Sequence, residues 1–152
     1  MKNKIYTIQE MELVYLPKHR ITELPKTTTS FTAYEILQQL FNQNTIRCQE
    51  EFIVLYLNSN NHIIGSQKLS KGGITSTVVD TRLILGTALK SLACGIILSH
   101  NHPSGNKTPS ENDKVVTQNI QKACKLLDIQ LLDHIIITPD DGYFSFADEC
   151  LL

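Results

Sequence analysis

His100 and His102 stand two positions apart where an apolar run, CGIILS, gives way to the polar segment HNHPSGNKTPSEND. In extended backbone, side chains two apart leave the same face, so the two imidazoles converge on one point. Such a pair suits a borderline-soft divalent cation. Pro103, Ser104 and Gly105 turn the chain, and Pro109 precedes an S-x-x-D pattern, Ser110 to Asp113, at the expected start of a helix. One turn into that helix, the Asp113 carboxylate can point back at the histidines. Two imidazoles and a carboxylate leave a fourth tetrahedral position for water, which separates a catalytic zinc from a structural one. S-x-x-D is also a capping-box-like signature that explains Ser110 and Asp113 without any metal. The whole combination, H-x-H leaving a buried strand, a Pro-Ser-Gly turn and an acid opening the next helix, favours the metal.

A metal-activated water needs a base to accept its proton and to return it to the leaving group. Glu50 and Glu51 head the apolar run EFIVLYLN, the expected strand neighbour of CGIILS. Adjacent strand residues face opposite sides, so only one of the two can look into the site. Position alone leaves open whether either does more than solvate a strand end.

The elements that would hold these residues can be read in order. Residues 1–29 form a lead-in, with IYTIQEMELVYL as a potential strand and LPKTTTS as a polar connector. Ser30 is placed to cap a helix over about 31–42, with Phe31, Tyr34, Leu37, Leu40 and Phe41 on one face. EFIVLYLN and HIIGSQKL make a hairpin across NSNN. SKGG breaks the chain, as a plain connector or as a flap over a cleft, and ITSTVV is a β-branched strand. Asp80 is placed to cap a helix over 81–92 with Ile84, Leu85, Ala88, Leu89 and Leu92 inward. After the polar loop, Val116, Ile120, Ala123 and Leu127 mark a helix. LLDHIIIT, the turn PDDG and YFSF complete the pattern. This order predicts a mixed sheet covered by helices, with the polar loop at the carboxyl end of a central strand, where open α/β sheets gather ligands.

The chain has 152 residues, enough for one domain with a real core. Its net charge of −1 provides no basic field for nucleic acid or an anionic membrane. Apolar stretches are too short for a membrane span, and the amino terminus lacks a signal-peptide core. Cys48, Cys94, Cys124 and Cys150 form no C-x-x-C pair, which points to reduced, half-buried thiols in a cytoplasmic protein. His134, beside Asp133 in an apolar strand, reads as a satisfied structural histidine ahead of support for a ligand. His19 and His62 are assigned no role.

HNHPSG, the following PS and the aspartate three beyond that serine resemble the metal motif of the JAMM (MPN-type) metalloproteases, in the branch called RadC-like. The resemblance extends over residues 30–152 and includes QEEFIVLYLN, ALKSLACGIILSHNHPSG and LLDHIII. It implies a single α/β domain, an α-β-α sandwich with a curved mixed sheet of the cytidine-deaminase-like kind. It implies one zinc per chain held by His100, His102 and Asp113, with water as the fourth ligand. Ser110 would steady the oxyanion. Glu50, two residues before the F-x-V-L strand pattern, would be the general acid/base, with Glu51 as the fallback. The implied activity is zinc-dependent hydrolysis of an amide or isopeptide bond in a protein or peptide substrate.

Full-length RadC proteins carry an amino-terminal helix-hairpin-helix module that binds nucleic-acid backbones. The lead-in is too short for one and contains no glycine, which with the near-neutral charge weakens the family's DNA-repair label. The alternative is a non-catalytic module that docks protein or DNA. An edge strand would allow a homodimer. Zinc deaminase patterns and H-E-x-x-H are absent, and a (β/α)-barrel needs roughly 250 residues.

Overall fold

The structure is a computed structural model that describes residues 16–71, 79–140 and 142–152. Helix α1 (Ser30–Leu40) is capped by Thr29, whose side chain accepts the Thr32 N–H, one residue ahead of the expected cap. Strands β1 (Glu51–Leu57) and β2 (Ile63–Lys71) form the expected hairpin. Helix α2 (Thr81–Lys90) begins at Asp80, which caps it as the sequence suggests. Strand β3 (Gly95–Asn101), helix α3 (Glu111–Leu126), strand β4 (Gln130–Ile137) and strand β5 (Tyr143–Ser145) follow. The expected strand ITSTVV falls in 74–79 and the flap reading falls on Gly72 and Gly73; apart from Val79, these lie outside the described residues, as does the lead-in strand except for Leu16.

The sheet order is β2-β1-β3-β4-β5, with β3 and β4 parallel and every other pair antiparallel. It is a mixed sheet with helices on both faces, as expected. One face packs Ile53, Leu55, Leu57, Ile97, Ile135 and Ile137 against Ala33, Tyr34 and Leu37 of α1. The other packs Phe52, Val54, Tyr56, Ile96 and Leu98 against Ile84 and Ala88 of α2 and Ile120 and Cys124 of α3. Continuous apolar runs such as FIVLYL are read correctly as central strands because both faces are covered.

Three interruptions of register matter. β2, an edge strand among the described residues, skips Leu69 and Ile64 in its pairing with β1, bulges that interrupt its ladder. β4 skips Leu132: Ile96 pairs with Leu131, but Ile97 pairs with Asp133. Leu132 therefore packs toward α1 with Ile97 and Asp133, and every β4 side chain beyond it faces opposite to an unbroken ladder. Gly95 accommodates this, since a Cβ there would stand 2.9 Å from Leu132 Cδ1.

The apolar periodicity overreaches in the helices. Leu89 and Leu92 are 45% and 68% exposed, because α2 turns only the Ile84 and Ala88 edge fully onto the sheet. Phe31 and Leu127 are also exposed; in α3 it is Thr117, Ile120 and Cys124 that are buried. All four cysteines are free, yet only Cys124 is buried, correcting the half-buried reading of the other three. Among the described residues no helix is long and apolar enough to cross a membrane.

Candidate metal centre

The end of β3 delivers the histidines. His100 is buried opposite Phe52 of β1, whose ring lies parallel to the imidazole. His102 N–H donates to Ile137 O at 2.9 Å, holding the loop against the end of β4. The turn then closes through Gly105 N–H to His102 O at 3.0 Å, with Gly105 at φ +79°, a conformation that side-chain-bearing residues resist. Asn106 O lies 2.7 Å from His102 Nδ1. A carbonyl only accepts, so Nδ1 carries the proton and Nε2 turns its lone pair inward.

The capping reading of S-x-x-D holds, and it leaves the carboxylate free to face the histidines. Ser110 caps α3: its Oγ accepts the Asp113 N–H, while Asp113 Oδ2 accepts the Ser110 N–H at 2.7 Å and its Oγ–H at 2.6 Å. The cap thereby fixes the carboxylate with Oδ1 3.3 Å from His100 Nε2 and Oδ2 3.5 Å from His102 Nε2. The two Nε2 atoms are 2.9 Å apart. Ligand atoms from the three residues all lie within 4.8 Å of one another, so this group can hold a metal ion. Two imidazole nitrogens and a carboxylate oxygen are a donor set that fits zinc.

The electrostatics agree. Burial opposes charge on His102, but the hydrogen bond with Asp113, the Asn106 carbonyl and the negative charges of Asp113 and Glu50 together raise its pKa above 6.5. Burial would raise Asp113 too, yet His100, His102 and Ser110 hold its carboxyl well below the ordinary range. Lone pairs converging this closely on a carboxylate favour positive charge between them, whether a proton or a metal ion.

Sheet geometry separates the two glutamates. Glu51, one residue beyond the Phe52–His100 pair and bonded through its N–H to Asn101 Oδ1, shares the α1 face with Ile53; it is 2% exposed, with Oε2 3.4 Å from Lys68 Nζ. Glu50 precedes β1, is half-buried, and its charge acts on His102. Ser110 stands beside the centre, with its hydroxyl proton given to Asp113.

Two contributors, Asn101 and Thr117, escaped the sequence reading, and a third, His134, was weighed as ligand support but ranked second. Asn101, fully buried between the histidines in sequence, points to the other face and accepts the Glu51 N–H at 2.7 Å. Its Nδ2 donates to Ile46 O and Gln49 O at 2.9 and 3.0 Å, clamping the segment that leads into Glu50. The signal was a strand residue, alternating away from the histidines, whose buried amide had to find partners. His134 lies with Nε2 2.8 Å from His100 Nδ1 and Nδ1 2.6 Å from Thr117 Oγ1. It therefore supports the centre directly, contrary to the preferred structural reading. Its burial, and the charges of His100 and His102, drive its pKa well below 6.5. Thr117 carried no signal, being one polar residue in an amphipathic helix.

A cleft of about 390 Å³ lies across the sheet, lined by Thr27, Ser30, Asp133 and Asp148 among others, and includes none of the three candidate ligands.

A family model described as the RadC-like JAB domain matches residues 27–151. The chain is 46% identical over 129 residues to a protein of Flavobacterium johnsoniae named UPF0758 protein, covering 85% of this chain and 55% of that one. It is 45% identical over 137 residues to a UPF0758 protein of Porphyromonas gingivalis, covering 90% and 59% respectively. A UPF0758 protein of Streptococcus sanguinis is 44% identical over 101 residues, covering 66% and 44%. The chain thus spans little more than half the length of the first two relatives. With the motif, the sheet order and these matches together, the chain belongs to the RadC-like JAB domain family.

Proposed function

We propose that this domain is a zinc-dependent hydrolase of the JAMM type that cuts an amide or isopeptide bond in a protein or peptide. The observation that carries the reading is the convergence of His100 Nε2, His102 Nε2 and Asp113 on one point with the charge of Glu50 beside them. His100, His102 and Asp113 would hold the metal, which when bound supplies Lewis acidity toward water and a carbonyl oxygen. Glu50 accepts the proton of the attacking water as the new C–O bond forms. It returns that proton to the nitrogen as the C–N bond breaks. Ser110 Oγ, turned from Asp113 Oδ2, donates to the developing oxyanion; the cap persists through the Ser110 N–H. Four free cysteines accord with a reducing, cytoplasmic setting.

Metal analysis of protein prepared without added metal tests the reading. About one zinc per chain is expected, lost in His102→Ala. Absence of zinc from the wild type, even when zinc is offered, overturns it in favour of a binding module. Glu50→Gln should then retain metal and lose turnover of peptide or isopeptide substrates; full activity in that variant removes Glu50 from the mechanism.

A further inference from the structure

His134 and Thr117 form a hydrogen-bonded series that ends on a candidate ligand. The Thr117 hydroxyl has one proton, and Asp113 O, 2.6 Å away, can only accept it. At 2.6 Å from the same oxygen, His134 Nδ1 must therefore be the donor. An imidazole 1% exposed, whose ring nitrogens meet Thr117 and His100 rather than a carboxylate, is neutral, so His134 Nε2 carries a lone pair. His100 Nδ1, 2.8 Å away, must then donate to it. His100 Nε2 is left with a lone pair facing His102 and Asp113.

We propose that Thr117 and His134 are positioning residues that lock His100 as the Nδ1–H tautomer and so reserve Nε2 for the metal. The proposal rests on the metal reading for its purpose but not for its geometry. Proton order originates at a helix carbonyl, Asp113 O, belonging to the residue that also supplies the carboxylate. One residue thereby sets both its own ligand oxygen and, through two intermediaries, the tautomer of a second ligand. The bulge at Leu132 makes this possible. Without it, His134 would pair with Ser99 and face α1; with it, His134 pairs with Leu98 on the face of His100.

His134 also packs on Phe146, centroids 4.8 Å apart, and against Phe52 at 5.7 Å. His134→Phe keeps this aromatic packing and removes the hydrogen bonds. His134→Gln offers an acceptor to His100 and a donor to Thr117. Long-range proton–nitrogen NMR correlations on the metal-free protein report the tautomer, and competition with a chelator reports zinc affinity. In the wild type, His100 should carry its proton on Nδ1. His134→Phe should lose this preference and bind zinc roughly 10- to 100-fold more weakly, with recovery in His134→Gln. Thr117→Val should loosen His134 and weaken zinc in the same direction. A wild-type His100 protonated on Nε2, or wild-type zinc affinity in a folded His134→Phe, overturns the proposal. A wild type that binds no zinc but holds His100 as Nδ1–H overturns the metal reading alone and leaves the relay standing.

Discussion

The Asn101 side chain accepts the backbone N–H of Glu51 at 2.7 Å, from the sheet face opposite the histidines that flank it in sequence. The H-x-H motif therefore has a third active position, pointing the other way. Its two N–H donors hold Ile46 O and Gln49 O, so one amide ties β3 to the whole approach to β1.

Asn101→Ala should lower unfolding free energy by about 2–4 kcal/mol in urea titrations, because two buried partners and one part-buried partner lose their hydrogen bonds. Zinc affinity should fall far less than in His102→Ala, since His100 and His102 are held by β4 and the Asn106 carbonyl. A parallel collapse of metal affinity would show that the clamp supports the ligands and not the segment before Glu50.

The two glutamates should separate cleanly. Glu51→Gln loses an ion pair with Lys68, whose ammonium is half-exposed, and should leave zinc binding and turnover near wild type with at most about 1 kcal/mol lost in stability. Glu50→Gln should abolish turnover without unfolding the chain. The reverse assignment of effects would move the acid/base role to Glu51.

Metal and protons compete for the same atoms, so zinc should stabilise in a pH-dependent manner. The pKa of His102 is raised in the metal-free fold, so the stability its proton contributes is complete below the ordinary histidine value of 6.5 and is lost as pH rises through the raised value. Asp113 is depressed, so its contribution persists until pH falls far below the carboxylate range. The rise in melting temperature on adding zinc should be small at pH 5.5 and large at pH 8. A shift that shrinks with rising pH would place the metal elsewhere.

Thiol labelling checks the fold independently. Cys48, Cys94 and Cys150 are exposed and should react within the native protein. Cys124 is buried on the sheet-facing side of α3, which pushes its thiol up to about 11, and should react only on unfolding. Four rapid reactions in the native state would contradict the packing of α3 on the sheet.

What the sequence disclosed depended on how local each relationship is. His100, His102 and Asp113 fall within one strand-loop-helix passage, where periodicity and capping rules reach. Separating Glu50 from Glu51 needed the β1–β3 register, which stops at the Phe52–His100 pair and sets the Asn101 side chain against the Glu51 N–H. His134 was misjudged because a one-residue bulge at Leu132, invisible to alternation, reverses which face it takes. Leu89 and Leu92 were overcommitted because a helix shows more apolar positions than its neighbours can cover.

The β3–α3–β4 crossover has a consequence for assembly. It contains every candidate ligand, the capping serine and both members of the relay, all between residues 95 and 137. Glu50 enters only through long-range pairing of β1 with β3. The proposed ligand set can thus form as soon as one crossover closes, while the proposed acid/base waits for a strand some fifty residues upstream to dock. In descent as in folding, the two halves are free to part: on the proposed reading, a lineage that eroded the docking of β1 would lose the acid/base and keep the ligand set.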